Sequence, residues 1–197
     1  MSPVGFRTRL TALLTGREMV PEGFTGTLAT SERVLADGAG PRGSVVLATD
    51  QGLWLPPASS GEAARRVPWH LITKATWEGG ALTVLEAEET EELPGGVVLL
   101  TDLAPRRVPL IEPGRLPETV HRRVTDAIKD SQHHELPGGG AWFVQRRVPR
   151  VGVVLHVRAE PGTDPDAVRT LAEGVGEKLR AAGRGERPSQ EDDREPS

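Results

Sequence analysis

The chain has 197 residues, 37% of them hydrophobic and 26% charged, enough for one well-cored body or one body with an extension. A formal charge of −4 gives no global pull toward nucleic acid or acidic lipid, so nucleic acid is not the expected partner. The absence of cysteine excludes disulfides, thiolate nucleophiles and Cys-ligated zinc and permits a reducing compartment, and no apolar run approaches the ~18 residues of a membrane span. A cytoplasmic protein with no transmembrane segment is the expectation.

Residues 1–29 read as a lead-in. Phe6, Leu10, Leu13 and Leu14 fall at helical spacing and Gly16 is a stop, giving a short amphipathic helix over 5–15 whose apolar face suits packing on a domain better than lying on a membrane. From Glu32 the period changes to that of strands. Seven runs follow, at 33–37, 44–49, 52–55, 67–77, 81–87, 97–102 and 107–111, each bounded by Gly, Pro or Asp. Gly79-Gly80 marks a two-residue hairpin, because such a loop needs positive φ at both positions. Leu53 and Trp77, large apolar groups on strand patterns, are expected in the core. A helix is predicted over 117–132, with Val120, Val124, Ala127, Ile128 and Ser131 on one stripe. Beyond Gly138-Gly139-Gly140 come a hairpin, 142–148 with 152–158, and a helix over 165–182 carrying Val168, Leu171, Ala172, Val175 and Leu179. Gly174 and Gly176 each weaken that helix by ~1 kcal/mol relative to Ala. Residues 184–197 have nothing large enough to bury and are expected to be disordered.

Specific residues point to a fold. SERVLADG at 31–38, VVLATDQGLWLP at 45–56 and RRVPWHLITKATWEGGALTV at 65–84 put a strand ending in Thr-Asp before a tight turn, then a Pro-aromatic segment running into a Gly hairpin. This pattern resembles the bacterial pleckstrin-homology-like (PH-like) and GRAM-like domains, over about residues 30–131, and the bias of 21 arginines to three lysines suits a high-GC bacterium. The resemblance implies an α+β fold: a PH-like seven-stranded antiparallel barrel with a closing C-terminal helix, here over 30–134, plus an appended ββα unit over 135–183. It implies a non-catalytic scaffold that binds lipid headgroups, peptides or other domains, and no cofactor. On this reading SVVLAT and VPWHLITKATW are neighbouring antiparallel strands.

The C-terminal half states one order twice. ELPGG, RRVP and EPG occur at 92, 106 and 112, and again at 135, 146 and 160, each series ending in a helix. Duplication and convergent turn chemistry both account for this, since Pro-Gly sets turns and Pro favours a first helical turn. The second unit carries Trp142, Phe143, Val144, Val151, Val153, Val154, Leu155 and Val157, too many apolar groups for a free hairpin. They must bury against the same chain or against a second copy, so a homodimer through 141–182 is open.

No motif carries a reaction. GAGPRG at 38–43 fits GxGxxG, but a strand follows it where a nucleotide fingerprint needs a helix, so it reads as a hairpin loop. His121 and the pair His133-His134 with Glu135 suggest a metal or acid/base enzyme site near 121–135. On one helix, however, His121 and His133 would stand about 18 Å apart, and a solvated helix end is the plainer reading. EAEETEE at 86–92 reads as a solvated acidic loop. The four arginine pairs, at 65, 106, 122 and 146, are the candidate binding surface. Trp142 shares strand parity with Arg146, so Trp142, Arg146, Arg147 and Arg122 are the candidate ligand-binding residues for an anionic small molecule or a protein partner, with no catalytic or metal residue assigned. Single-stranded nucleic acid stacking on Trp142 beside the arginines is the alternative. The rival to both is that Trp142 is core and the arginines are rim charges.

Overall fold

The computed structural model describes residues 20–59 and 62–185. The expected helix over 5–15 and the tail from 186 onward lie outside the described residues. The chain is mixed α+β and mostly strand, with two α-helices among the described residues. It divides into two compact units, one of residues up to Glu88 with Asp102–Lys129 and Arg146–Gly152, the other of Glu89–Thr101, Asp130–Gln145 and residues from Val153 on.

The first unit opens with a four-stranded antiparallel meander, β1 (Val34–Ala39), β2 (Val45–Thr49), β3 (Gly52–Leu55) and β4 (Arg65–Pro68), in that spatial order. The expected strand over 67–77 is broken. Pro68 has no N–H to continue a ladder, so Trp69–Leu71 turn as a 3-10 helix before β5 (Ile72–Glu78), and eight strands rather than seven precede the first helix. SVVLAT and VPWHLITKATW are not neighbours either: β3 pairs with β2 on one side and β4 on the other. β5 joins β6 (Ala81–Leu93) through Gly79 and Gly80, both at positive φ (55° and 69°), as a two-residue hairpin requires. β8 (Arg106–Pro109) pairs with Ala81–Val84 of β6.

Helix α1 (Leu116–Ala127) lays Leu116, Thr119, Val120, Val124 and Ala127 inward, the apolar ones into a cluster with Val46, Leu53, Ile72 and Leu82. Leu53 is 0% exposed, as its strand position implied, whereas Trp77 is 39% exposed. Trp77 faces Leu82, which faces Val108, so the ring ends a core row on the outermost of three strands and one side stays open. The helix stops five residues short of the expected end. At Ile128 the backbone turns extended (φ −87°, ψ 126°), and Asp130, Ser131 and His133 are weak helix formers that a sheet edge recruits instead.

The second unit is built on a sheet in the order Glu89–Leu93 of β6, β7 (Val97–Asp102), β11 (Gly152–Ala159), β10 (Gly139–Val148) and β9 (Ile128–Leu136), of which Asp102, Ile128, Lys129, residues 146–148 and Gly152 fall in the first unit. EAEETEE is therefore strand, not loop, because the Pro94-Gly95-Gly96 turn folds β7 back alongside it. β7 and β11 run parallel, Val97 beside Leu155 and Leu99 beside Val157. Helix α2 (Pro165–Gly185) covers one face, and Leu93, Val97, Phe143, Leu155, Val157, Val168 and Ala172 make a single cluster. The apolar hairpin buries Phe143, Leu155 and Val157 within its own chain, while Trp142, Val144 and Val154 are half-buried and Val151 and Val153 stay exposed (71% and 50%), so its expected burial is only partly met.

Candidate functional site

The arginine pairs are engaged inside the fold. In the first unit Arg66 reaches Glu32, whose side chain is fully buried: Glu32 Oε2 accepts from Arg66 Nη1 at 2.8 Å, and Oε1 accepts from Trp54 Nε1 (2.7 Å) and the Thr49 hydroxyl (2.6 Å). Thr49 Oγ1 in turn accepts the Gly52 amide at 3.1 Å, while the Asp50 carboxylate takes the Arg33 amide at 2.9 Å. The Thr-Asp motif is thus the clasp that holds Glu32 and Arg33 to the β2–β3 turn. Arg65 pairs with buried Glu86 at 2.7 Å, and Arg106 donates to the Pro56 carbonyl. Burial first, then the neighbouring Arg65 guanidinium, holds Arg106 below the ordinary guanidinium range, against the opposing pull of Glu86 and Glu62.

The candidate ligand residues fall as follows. Arg146, 3% exposed, donates to the Ile72 carbonyl at 2.9 Å, and Arg147 donates to the Asp126 carbonyl at 3.0 Å, near the C-terminal end of the helix that carries exposed Arg122. These three arginines belong to the first unit. Trp142 belongs to the second, half-buried, its ring 4.9 Å from that of His133. His133 and His134 are not a helix end: both lie on β9, where His133 Nε2 meets Glu160 at 3.2 Å and His134 packs edge-on against Phe143. His121 stays on α1. Among the described residues no group of three or more His, Cys, Asp or Glu is placed to hold a metal, and no described helix is long and apolar enough to cross a membrane. GAGPRG is a β-hairpin loop, as its sequence context implied, with Arg42 left-handed (φ 57°) between β1 and β2.

The feature that sequence reasoning missed is a flank of α2. Val168 and Ala172 face the sheet and are buried, but Leu171 and Val175 are half-buried and Leu179 is 41% exposed. Beside the buried stripe runs an open groove of about 540 Å³ along Asp164, Ala167, Thr170, Leu171, Gly174 and Lys178. Its spacing is three, four, three, four from Asp164 through Ala167, Leu171 and Gly174 to Lys178, the seam of one helix against another. Asp164 caps the helix, its carboxylate accepting the Asp166 amide at 2.9 Å, so the acidic end of the groove is fixed by the same residue that starts α2. Gly174 and Gly176, equivalent in sequence, differ here. A Cβ at 176 would meet Val97 Cγ2 at 2.5 Å and the Pro94 carbonyl at 3.2 Å, so glycine lets the β6–β7 turn approach the helix. A Cβ at 174 would meet nothing within 4 Å among the described residues. The seam spacing was present in the sequence; the core stripe masked it, because Leu171 and Val175 fit both.

No family model, curated protein or solved structure matches the chain.

Proposed function

We propose that this chain is a non-catalytic, cytoplasmic binding or assembly module of the bacterial PH-like kind, whose working surface is the open flank of α2. One observation carries the reading: the groove from Asp164 to Lys178 is apolar at its centre, oppositely charged at its ends and uncovered by any described residue. The arginines that could have formed an anion site support it from the other side. Arg65, Arg66, Arg106 and Arg146 are occupied by carboxylates and carbonyls of the first unit. For the PH-like scaffold the support is an antiparallel meander of short strands followed by α1, both in the first unit, with one strand more than the simplest version of that barrel.

The test uses the absence of native cysteine. A Thr170→Cys variant places a thiol in the groove, and a Glu177→Cys variant places one on an exposed part of the same helix outside it. Maleimide labelling of the Thr170→Cys variant is expected to be slow in intact cells and fast in dilute purified protein, with the Glu177→Cys variant labelling equally fast in both. Equal rates for Thr170→Cys in cells and in dilute solution would refute the assignment of this face.

A further inference from the structure

We propose that the occupant of the α2 groove is the same groove of a second copy of this chain, packed antiparallel about a two-fold axis near Leu171. This rests on the reading of the α2 flank as the working surface and adds the partner. Charge and symmetry select this partner. The groove begins with the carboxylates of Asp164 and Asp166 and ends with the ammonium of Lys178, 14 residues and about 21 Å further along the helix. Leu171 stands midway, seven residues from Asp164 and seven from Lys178. Rotation by 180° about Leu171 therefore sets each Lys178 beside the other copy's Asp164, Leu171 against Leu171, and Ala167 opposite Val175. A parallel arrangement would set like charges side by side at both ends.

Gly174 fits the same arrangement. A glycine inside a helix weakens it, and the space where its Cβ would stand is empty of described atoms, so no described residue requires it. A second helix does, because small residues beside the crossing let two backbones approach closely. Leu171 and Val175 supply the apolar centre, half of each already held by the cluster beneath.

Sedimentation equilibrium on the full chain and its charge variants tests this. The wild type is expected to dimerise at tens of micromolar. Lys178→Glu alone and Asp164→Lys alone should each weaken the dimer by about tenfold or more, since each places like charges at both ends. An equimolar mixture of the two should dimerise again, because every end then pairs opposite charges. Asp164 also caps α2, so a Gly174→Leu variant, at a position with open space and ordinary helical geometry, provides a second disruption that leaves the cap intact. Recovery in the mixture together with loss in Gly174→Leu establishes the pairing. A wild type monomeric at those concentrations overturns it, and protection of the Thr170→Cys thiol in cells would then show that the groove serves a different partner, whereas no protection would remove the proposed function as well. A dimer indifferent to Lys178→Glu and Gly174→Leu also overturns it, as does a groove that deletion of residues 1–19 opens while the charge variants have no effect, which would make the N-terminal segment its occupant.

Discussion

The two ββα stretches share their punctuation and almost nothing of their pairing. Both copies of ELPGG close a hairpin, Pro94-Gly95-Gly96 between β6 and β7 and Pro137-Gly138 between β9 and β10, and both copies of EPG precede a helix, with Gly114 and Gly162 at positive φ. Yet β7 pairs with β11 and β8 with β6, so the first two strands do not pair with each other, whereas β10 and β11 lie side by side. The helices diverge too. α1 turns its apolar stripe fully into a core, and α2 buries one stripe while leaving a second, adjacent one open. Turn chemistry is local and repeats wherever Pro-Gly repeats; strand partners and the covering of helices are decided by residues far away in sequence.

The difference between the helices can be broken at its buried end first. Leu116 of α1 is 0% exposed, and Leu116→Ala should cost about 3 kcal/mol in denaturant unfolding. A cost no larger than that of Leu171→Ala would show that α1 covers its core no better than α2 covers its own. The two glycines of α2 sharpen the contrast within one element. Gly176→Ala should destabilise by roughly 2 kcal/mol, since its Cβ meets Val97 and the Pro94 carbonyl. Gly174→Ala should stabilise the isolated chain by up to ~1 kcal/mol, since its Cβ meets nothing. Thermal melts in dilute solution read both, and the same sign for the two variants would erase the distinction between covered and open flanks.

How much of this was legible in the sequence follows from where each signal sits. The Gly79-Gly80 hairpin, the Thr-Asp turn, the burial of Leu53 and the existence of both helices are set within a few residues, and they were readable. The strand character of 128–136 was not, because Val120, Val124, Ala127 and Ile128 continue a helical period and only pairing with β10 overrides it. Trp77 obeyed its strand parity and still came out half-open, since parity says which face a residue is on and not whether its strand is the outermost. At the candidate surface the arginine pairs were visible but their partners were not. Glu32 and Arg66 are 34 residues apart, and Arg146 and Ile72 are 74 apart, so no local pattern could show that these guanidiniums are occupied.

A smaller effect ties the start of α2 to the first ELPGG turn. Arg169 Nη2 meets Glu91 at 2.7 Å, and that hydrogen bond first of all holds the exposed Glu91 carboxyl below its ordinary range, with desolvation pulling the other way and the Arg169 charge adding a smaller downward push. A depressed folded-state pKa contributes stability at neutral pH that is lost as pH falls through it. Arg169→Ala should therefore raise the Glu91 pKa toward the ordinary carboxylate value in an NMR titration, with little change in the melt. An unmoved pKa would remove this link between the two segments.

The open stripe of α2 either meets its own copy or does not. Single cysteines introduced into this cysteine-free chain at Leu171 and at Glu177 decide it under mild oxidation of concentrated protein. Two helices crossing at 8–10 Å about Leu171 bring its Cα within disulfide range of its symmetry mate, so Leu171→Cys is expected to form a covalent dimer and Glu177→Cys to stay uncrosslinked. Equal crosslinking at both positions, or none at 171, would contradict the pairing.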